Sequence, residues 1–599
     1  MAGPMDLSTA LREHFGFPAF RSGQREACEA ALAGRDLLVV MPTGSGKSLC
    51  YQLPGLMRDD LTIVVSPLVA LMQDQVEALR ARGLGEAVAL VNAQQAPEAN
   101  AAALARAAKG DLRLLYVAPE RFSSPGFLKA IEAARIGLFV VDEAHCVSQW
   151  GHDFRPDYFR LGDAARYLGA DAILASTATA TPRVAVDVVQ RLGLREPVRV
   201  STGFDRPNLS FAVARPAPHE KRPLIAEALR CEDALPAIVY AGTRAGSEEI
   251  AELLTRELGE PALAYHAGLA RERRAETQRR FLTDDVRVIV ATNAFGMGVD
   301  KPNVRTVVHA SAPSSLEAYY QEAGRGGRDG EPARALLLAE NRDKALHVHF
   351  IKRDELDADL PGKLYARLRT EADEQGRYAV EAPELGRALG GGSDRLRALL
   401  GHLARAKVIA PTPSSPDRVA GRLVAPFDAR AAATCRSSVE DGARARWRQY
   451  REIWAYVESL DCRRRTILAH FGDSADAPAP DAGASDGAAA CCDVCTGGLV
   501  PALPPPPAEQ VADLDGAILA VARGAQPAVG RTTCVEILHG ARTKKIERNS
   551  YDGLPAYATS SHLRRKQILE RVDELIAQGV IATTGGPYPV LQVPARAAA

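Results

Sequence analysis

From about residue 20 to residue 350, short and almost uninterrupted apolar runs alternate with helical stretches. Examples are Leu37–Met41, Thr62–Ser66, Leu112–Ala118, Gly137–Asp142, Ala172–Ser176, Ala237–Ala241, Val286–Ala291 and Thr306–Ala310. Continuous hydrophobicity marks a strand covered on both faces, and strands alternating with helices build parallel α/β sheets. The length suits two such domains, divided near Ser201–Pro207. Beyond residue 360 the pattern changes. Leu396, Leu399, Leu400 and Leu403 recur at helical spacing, and a short Val408–Ala410 strand and a Pro-Ser-rich turn follow. This predicts a small helix-rich unit with a hairpin. Residues 443–471 read as one long helix dense in arginine, and 472–490, an Ala/Asp/Gly/Pro stretch, as loop. Pro501–Pro507 is a proline-rich, extended linker. From residue 511 come three helical segments and a terminal hairpin over Thr583–Val593, turning at Gly585-Gly586-Pro587. On the last helix Ile568, Val572, Leu575 and Ile576 form the core face, with Arg564, Arg565 and Lys566 in the first turns. Three helices and a β-wing follow in winged-helix order.

Composition narrows the class. A chain of 599 residues holds about three to five domains. With 46% hydrophobic and 25% charged residues it is globular rather than disordered. Lys plus Arg and Asp plus Glu both number 74, so binding to a polyanion must come from local patches and specific contacts. No apolar run reaches the roughly 18 residues of a membrane helix, and the N-terminus lacks a basic-then-apolar signal. Ten cysteines in a chain without export signals predict a reducing cytoplasm, with thiols used for metal or left free. Cys28, Cys50, Cys146, Cys231 and Cys534 are expected to be small buried residues.

The chemistry begins at Arg35-Asp-Leu-Leu-Val-Val-Met-Pro-Thr-Gly-Ser-Gly-Lys-Ser48. A strand runs into a glycine-rich turn whose backbone N–H groups, from Thr43, Gly44, Ser45 and Gly46 onward, can converge on an anion at a helix N-terminus. Lys47 then reaches the terminal phosphates of a nucleoside triphosphate and Ser48 holds magnesium. The strict pattern has glycine where Met41 stands, a departure that helicase-type cradles tolerate. Leu138–His145 supplies the other half of such a site: an apolar strand delivers Asp142 toward magnesium and Glu143 toward the attacking water. Taken alone, the pair reads equally as two solvated acids ending a strand. Ser315–Arg328 carries the opposite charge, with Arg325 and Arg328 three apart on a helix-like segment. An arginine brought to the γ-phosphate across a cleft is worth about 10³–10⁵ in rate and couples hydrolysis to domain closure.

Together these residues resemble the RecQ family of DNA helicases, within helicase superfamily two, over nearly the whole chain. Leu11 through Gln24 looks like the family's adenine-reading segment, with Arg21 and Gln24 as base contacts and Phe17 as a stacking ring. Val65–Gln75 is similar to its first DNA-contacting motif, and Ser176-Thr177-Ala178-Thr179 to the motif linking hydrolysis to strand contact. Ala291–Pro302 resembles the second domain's DNA and nucleotide motif, which contains Gly298 and Asp300. His145–Tyr158 looks like the family's aromatic-rich loop; Trp150 and Phe154 can stack on unpaired bases, about 1–3 kcal/mol each, and Arg155 can pair with phosphate.

The resemblance implies two RecA-like parallel-sheet domains followed by a helical zinc-binding subdomain and a winged-helix domain. The expected boundaries are 1–203 and 204–355 for the two motor domains, 356–435 for an inserted winged-helix-like module, 436–500 for the zinc subdomain, 501–510 for the linker and 511–599 for the winged helix. Cys462, Cys492 and Cys495 match the family's zinc site. The remaining ligand is open among Cys491, adjacent to Cys492, then His470 and Cys435. Tyr588 at the wing reads equally as a base-pair stacker and as hairpin packing. The chain ends just after the wing, so the accessory C-terminal helical domain (HRDC) of many relatives is expected to be absent. The implied activity is 3′-to-5′ translocation on single-stranded DNA with duplex unwinding, in repair and recombination, using ATP, Mg2+ and Zn2+. Gln321 would help position the water, with Arg328 as the finger. An RNA helicase, a non-unwinding translocase and a DNA-binding protein with a vestigial motor remain the alternatives.

Overall fold

A computed structural model describes the chain except residues 1–5, 93, 149–155, 217–219, 297–300, 354, 391, 413–417, 474–489, 504–507, 542, 585–588 and 595–599. Contacts gather it into two units, Met1–Arg215 with Ala228–Val500, and Pro216–Glu227 with Pro501–Ala599.

The first unit opens with a seven-stranded parallel sheet: β1 (Leu37–Val40), β2 (Leu61–Val65), β3 (Val88–Val91), β4 (Leu114–Val117), β5 (Ile136–Val141), β6 (Ala172–Thr177) and β7 (Val198–Ser201), ordered β3-β4-β2-β5-β6-β1-β7. All residues of β1, β2, β5 and β6 are buried, as their unbroken apolar runs require. The register pairs Val40 with Thr177 and Val65 with Val141. Each of these pairs ends level, β6 runs two residues past β5 because Val141 pairs with Ala175, and the segments leaving β1, β2, β5 and β6 emerge along one edge. Carboxyl ends of parallel strands are where α/β sheets hold ligands.

A second parallel sheet follows: β8 (Leu209–Ala214), β9 (Ala237–Tyr240), β10 (Ala262–Tyr265), β11 (Val288–Ala291), β12 (Thr306–His309) and β13 (Ala333–Leu338), ordered β10-β11-β9-β12-β13-β8. Strands β3, β7, β8, β10 and β13 lie outside the apolar runs named as examples. Ala-Leu-Ala-Tyr in β10 and Ala-Arg-Ala-Leu-Leu-Leu in β13 have the composition of helix, and sheet neighbours decide their state. In β7 only Val200 is buried, because the strand lies at the sheet edge.

Next come the helix Leu360–Thr370, β14 (Arg377–Glu381), helices Ala382–Ala388 and Ser393–Arg405, then β15 (Ile409–Thr412) and β16 (Arg418–Leu423) in an antiparallel sheet ordered β14-β16-β15. Leu364, Tyr378, Leu385, Leu399 and Leu403 form its own core. The arginine-dense segment is not one helix. A helix runs Ala429–Glu458, capped by Asp428 accepting from Ala431 N at 2.8 Å, and a second runs Arg463–His470. Ser459 is extended and its hydroxyl donates to Asp461 at 3.0 Å, a local turn that competes with helix and presents Cys462 at the next N-terminus. Burial of Cys28, Cys50, Cys146 and Cys534 matches expectation, but Cys231 is exposed, because it lies after the helix Lys221–Ala228 and outside any core cluster.

The second unit contains helices Ala508–Gly524, Arg531–His539, Lys544–Arg548 and Arg565–Ala577, with β17 (Ala582–Thr583) pairing β18 (Leu591–Gln592). One short helix more than expected is present. Ile568, Val572 and Leu575 are buried against Ile518, Val521 and Ile537, while Ile576 is partly buried. Arg564, Arg565 and Lys566 are exposed at the start of the last helix, and Tyr588 lies outside the described residues. Among the described residues no helix is long and apolar enough to cross a membrane.

Candidate nucleotide site and cysteine cluster

The turn after β1 is shaped by two glycines. Gly44 and Gly46 have φ of 82° and 81°, a region open mainly to glycine. A Cβ at Gly46 would meet Gln24 Nε2 at 2.6 Å, and one at Gly44 would meet Arg328 Cγ at 3.1 Å. Met41, in place of a glycine, is fully buried and its carbonyl accepts from Lys47 Nζ at 3.1 Å, with Pro42 O at 3.3 Å. Ser45 Oγ donates to Pro42 O at 2.6 Å, and Gln75 Nε2 donates to Ser48 Oγ at 3.1 Å. Arg21 and Gln24 hold this loop: Arg21 donates to Gly44 O at 2.7 Å, and Gln24 Nε2 to Ser45 O at 2.9 Å. Phe17, 45% exposed, stacks on Phe15 with centroids 6.4 Å apart at the rim.

Asp142 leaves β5 with its N–H donating to Val65 O at 2.8 Å, and its carbonyl accepts from Tyr158 OH at 3.0 Å. Burial, reinforced by the Glu143 charge, pushes the Asp142 carboxyl up to about 7. Glu143 sits at φ 49°, ψ 46°, a left-handed conformation that costs a non-glycine residue about 1–3 kcal/mol. Glu143 lines one cavity with Lys47 and Asp142. His145 Nδ1 lies 3.0 Å from Thr177 Oγ1 and 3.3 Å from Glu143 Oε2. The end of β6 is thus wired to the acidic pair through one imidazole.

From the second sheet, the helix Leu316–Ala323 starts at Ser315, whose hydroxyl accepts from Ala318 N at 3.1 Å. It stops at Gly324, so Arg325 and Arg328 stand on the following turn rather than on a helix. The glycines at 324, 326 and 327 break the helix and let the turn fold tightly. Both arginines face one cavity of about 940 Å³, whose wall joins Lys47, Asp142 and Glu143 to Gln321, Arg325 and Arg328. Phe17, Arg21, Gln24, Thr43, Gly44, Gly46 and Ser48 line the same cavity. Gly298, Asp300, Trp150, Phe154 and Arg155 lie outside the described residues.

Sequence reasoning overlooked Arg206. Its guanidinium donates to Thr43 O (3.4 Å), Gly324 O (3.2 Å), Gly326 O (2.8 Å) and Gly327 O (2.9 Å), joining the phosphate loop to the arginine turn. An arginine in an Asp-Arg-Pro-Asn run carries no motif spacing of its own; only the tertiary contacts reveal it.

The Sγ atoms of Cys462, Cys491, Cys492 and Cys495 all lie within 4.8 Å of one another. Cys462 Sγ is 3.6 Å from Cys491 Sγ and 3.9 Å from Cys492 Sγ. Tetrahedral zinc with Zn–S of about 2.3 Å sets sulfurs about 3.8 Å apart, so this donor set fits. Burial and the neighbouring thiols push the Cys491 thiol up to about 11, the crowding that a divalent cation relieves. Adjacent cysteines both reach the cluster because the chain enters in extended form, with Cys491 O accepting from Phe211 N at 3.3 Å. His470 is turned elsewhere, 3.1 Å from Glu317, and Cys435 is buried with Sγ 3.5 Å from His402 O.

Comparison with known proteins agrees with this geometry. Residues 21–188 match the DEAD/DEAH box helicase family and 220–330 the helicase conserved C-terminal domain. Residues 429–496 match RecQ zinc-binding and 513–599 the RQC domain. The chain is 32% identical to "ATP-dependent DNA helicase RecQ" of Bacillus subtilis (strain 168) over 588 residues, 98% of this chain and 82% of that one. It belongs to the RecQ family of ATP-dependent DNA helicases. Another RecQ helicase, from Pasteurella multocida (strain Pm70), is 44% identical over 347 residues, 58% of this chain and about half, 54%, of that one. The solved structure of Mycobacterium smegmatis helicase Lhr bound to ssDNA and AMP-PNP shares 21% identity at a TM-score of 0.47, covering 73% of this chain and 62% of that one. For this RecQ chain the two parallel sheets are the helicase motor, and ATP, Mg2+ and Zn2+ are its cofactors.

Proposed function

We propose that this RecQ chain hydrolyses ATP in the 940 Å³ cavity and uses the resulting closure of its two sheet domains to move 3′ to 5′ on single-stranded DNA and separate duplex ahead. The observation that carries the reading is the convergence of Lys47, Asp142 and Glu143 with Gln321, Arg325 and Arg328 on one wall. Lys47 and the cradle N–H groups bind the phosphates. Glu143 draws a proton from the attacking water, Gln321 orients that water, and Arg328, with Arg325 beside it, meets the charge that develops on the transferred phosphoryl group. Phe17, Arg21 and Gln24 receive the adenine. Ser48 and Asp142 would hold magnesium, which supplies charge neutralisation at the phosphates when bound. DNA contacts are assigned to Trp150, Phe154 and Arg155, and to the exposed Arg564, Arg565 and Lys566 with Tyr588. Gly298 and Asp300 complete the second domain's motif. The sequence-based domain limits, with the 356–435 module as an insertion, are kept as part of this proposal, shifted where the helices Ala429–Glu458 and Ala508–Gly524 cross the 435/436 and 510/511 limits, and the proposed site of action is the cytoplasm, at the nucleoid.

The deciding experiment is ATP-driven strand separation on duplexes with a 3′ or a 5′ single-stranded tail. Unwinding of the 3′-tailed duplex alone is expected; unwinding of the 5′-tailed one alone would reverse the polarity. DNA-stimulated hydrolysis without unwinding would point to a translocase.

Cys462, Cys491, Cys492 and Cys495 would hold zinc, which contributes folding energy when bound. Metal analysis of purified protein should find one zinc per chain, and Cys492→Ser should lose it together with several degrees of melting temperature. A zinc content well under one in the unmutated chain would remove the assignment.

A further inference from the structure

The segment joining the two sheets, residues 204–209, is held from two sides. On one side the zinc subdomain grips its backbone. Arg464, two residues after Cys462 and 2% exposed, donates to Asp205 Oδ1 (2.7 Å), Arg206 O (2.8 Å) and Leu209 O (2.9 Å). Phe204 N donates to Asp473 Oδ2 at 2.7 Å, and the Phe204 ring stacks on Phe471 with centroids 4.4 Å apart at 10°. Arg463 locks the grip to the cysteine cluster, donating from Nε to Asp493 Oδ1 at 3.1 Å and from Nη1 to Tyr456 O at 2.6 Å. On the other side, the Arg206 side chain leaves the segment and takes up carbonyls at Thr43, Gly324, Gly326 and Gly327. Gly326 and Gly327 are the two residues lying between Arg325 and Arg328. Thr43 Oγ1 also donates to Gly324 O, at 3.3 Å.

We infer that Arg206 is a positioning residue for the arginine turn, and that Arg464 fixes Arg206, so that the zinc subdomain sets the alignment of the finger with the phosphate loop. The inference rests on the proposed role of Arg328. The physical reason is geometric. A rigid planar fork bonded to four carbonyls restricts the turn in a way that a flexible ammonium does not. Transition-state charge stabilisation depends steeply on placement, and a displacement of about 1 Å can cost about 10²-fold. Arg464 reaches the Arg206 carbonyl, so it limits the sliding of the segment from which the fork projects. Substrate binding energy comes mainly from the cradle, which neither residue replaces.

The test uses the full zinc-loaded chain and steady-state ATP hydrolysis with saturating single-stranded DNA. Arg206→Lys keeps the charge and removes the fork. Its kcat should fall about 10- to 100-fold while KM for ATP moves by less than about 3-fold. Arg464→Lys should lower kcat in the same direction with zinc still bound, and Asp205→Asn, which touches neither the cluster nor the cavity, should do so more weakly. Because the two arginines act in series, the double variant should be no slower than about the Arg206→Lys variant alone. Multiplying losses, or a normal kcat in Arg206→Lys, would overturn the relay. So would Arg464→Lys or Asp205→Asn variants that only melt earlier. If the unmutated chain showed no Lys47-dependent hydrolysis, the catalytic reading itself would fail; hydrolysis that is present and indifferent to Arg206 overturns the relay alone.

Discussion

Lys47→Ala is expected to abolish DNA-stimulated ATP hydrolysis, by at least about 10³-fold, in a chain that still folds. The ammonium lies among the groups that define the site. It donates to Met41 O and Pro42 O, and burial lowers its proton affinity while Glu143 and Asp142 raise it. Its ammonium lines the cavity wall together with Asp142 and Glu143, with Arg21 and Arg82 from the same domain also on that wall. On the proposed role of Lys47, its removal would deprive the developing phosphoryl charge of a partner and leave two carboxylates facing the substrate's own charge. The fold survives because the side chain borders a cavity of about 940 Å³ that water can enter, so no packed core is lost. Steady-state turnover and a thermal melt measured together check this. Turnover within about tenfold of the unmutated chain would remove the phosphate assignment.

Arg328→Ala should lower kcat by about 10³-fold or more, with KM for ATP changed far less, as expected of an interaction made chiefly in the transition state. The position decides between two candidate arginines. Arg328 runs its aliphatic chain across Gly44, where an added Cβ would sit 3.1 Å from its Cγ, so it spans from the second sheet to the phosphate loop. Arg325 is 4% exposed and lies deeper in its own domain, its Nη2 3.8 Å from where a Cβ on Gly296 would stand. Arg325→Ala should therefore cost stability along with activity, whereas Arg328→Ala should leave the melting temperature near that of the unmutated chain. Comparing kcat with melting for both variants separates them. A large kcat loss confined to Arg325→Ala would exchange the roles.

Both predictions depend on groups far apart in the chain, which sets how much could be read in advance. The glycine-rich turn, the buried acidic strand end and the cysteine spacing were legible because each is a local signature. Backbone geometry at Gly44 and Gly46, the apolar run before Asp142 and the Cys-x-x-Cys knuckle restrict nearby residues in ways that composition records. The Arg325–Arg328 segment was legible as chemistry and misread as structure. Its helix ends at Gly324, and the glycine-rich turn beyond it is held by Arg206 rather than by its own periodicity.

By itself the sequence determined two parallel-sheet domains, because burial on both strand faces leaves a mark at short range, and the order of helices and hairpin at its end marked a winged helix; the motor role and the thiol metal site were implied by the resemblance that its motifs carry. Only the tertiary structure decided which strands join the sheets. β10 and β13 are too rich in alanine and leucine to declare themselves, and their pairing with β11 and with β12 and β8 settles their state. It decided that Cys491 rather than His470 joins the cluster, since an extended segment pairs with β8 while Glu317 draws the imidazole away. It also decided that Arg206 and Arg464 stand between the metal site and the phosphate loop. Carbonyl-to-guanidinium bonds are made wherever the fold brings backbone oxygens together, and no spacing along a chain encodes that meeting.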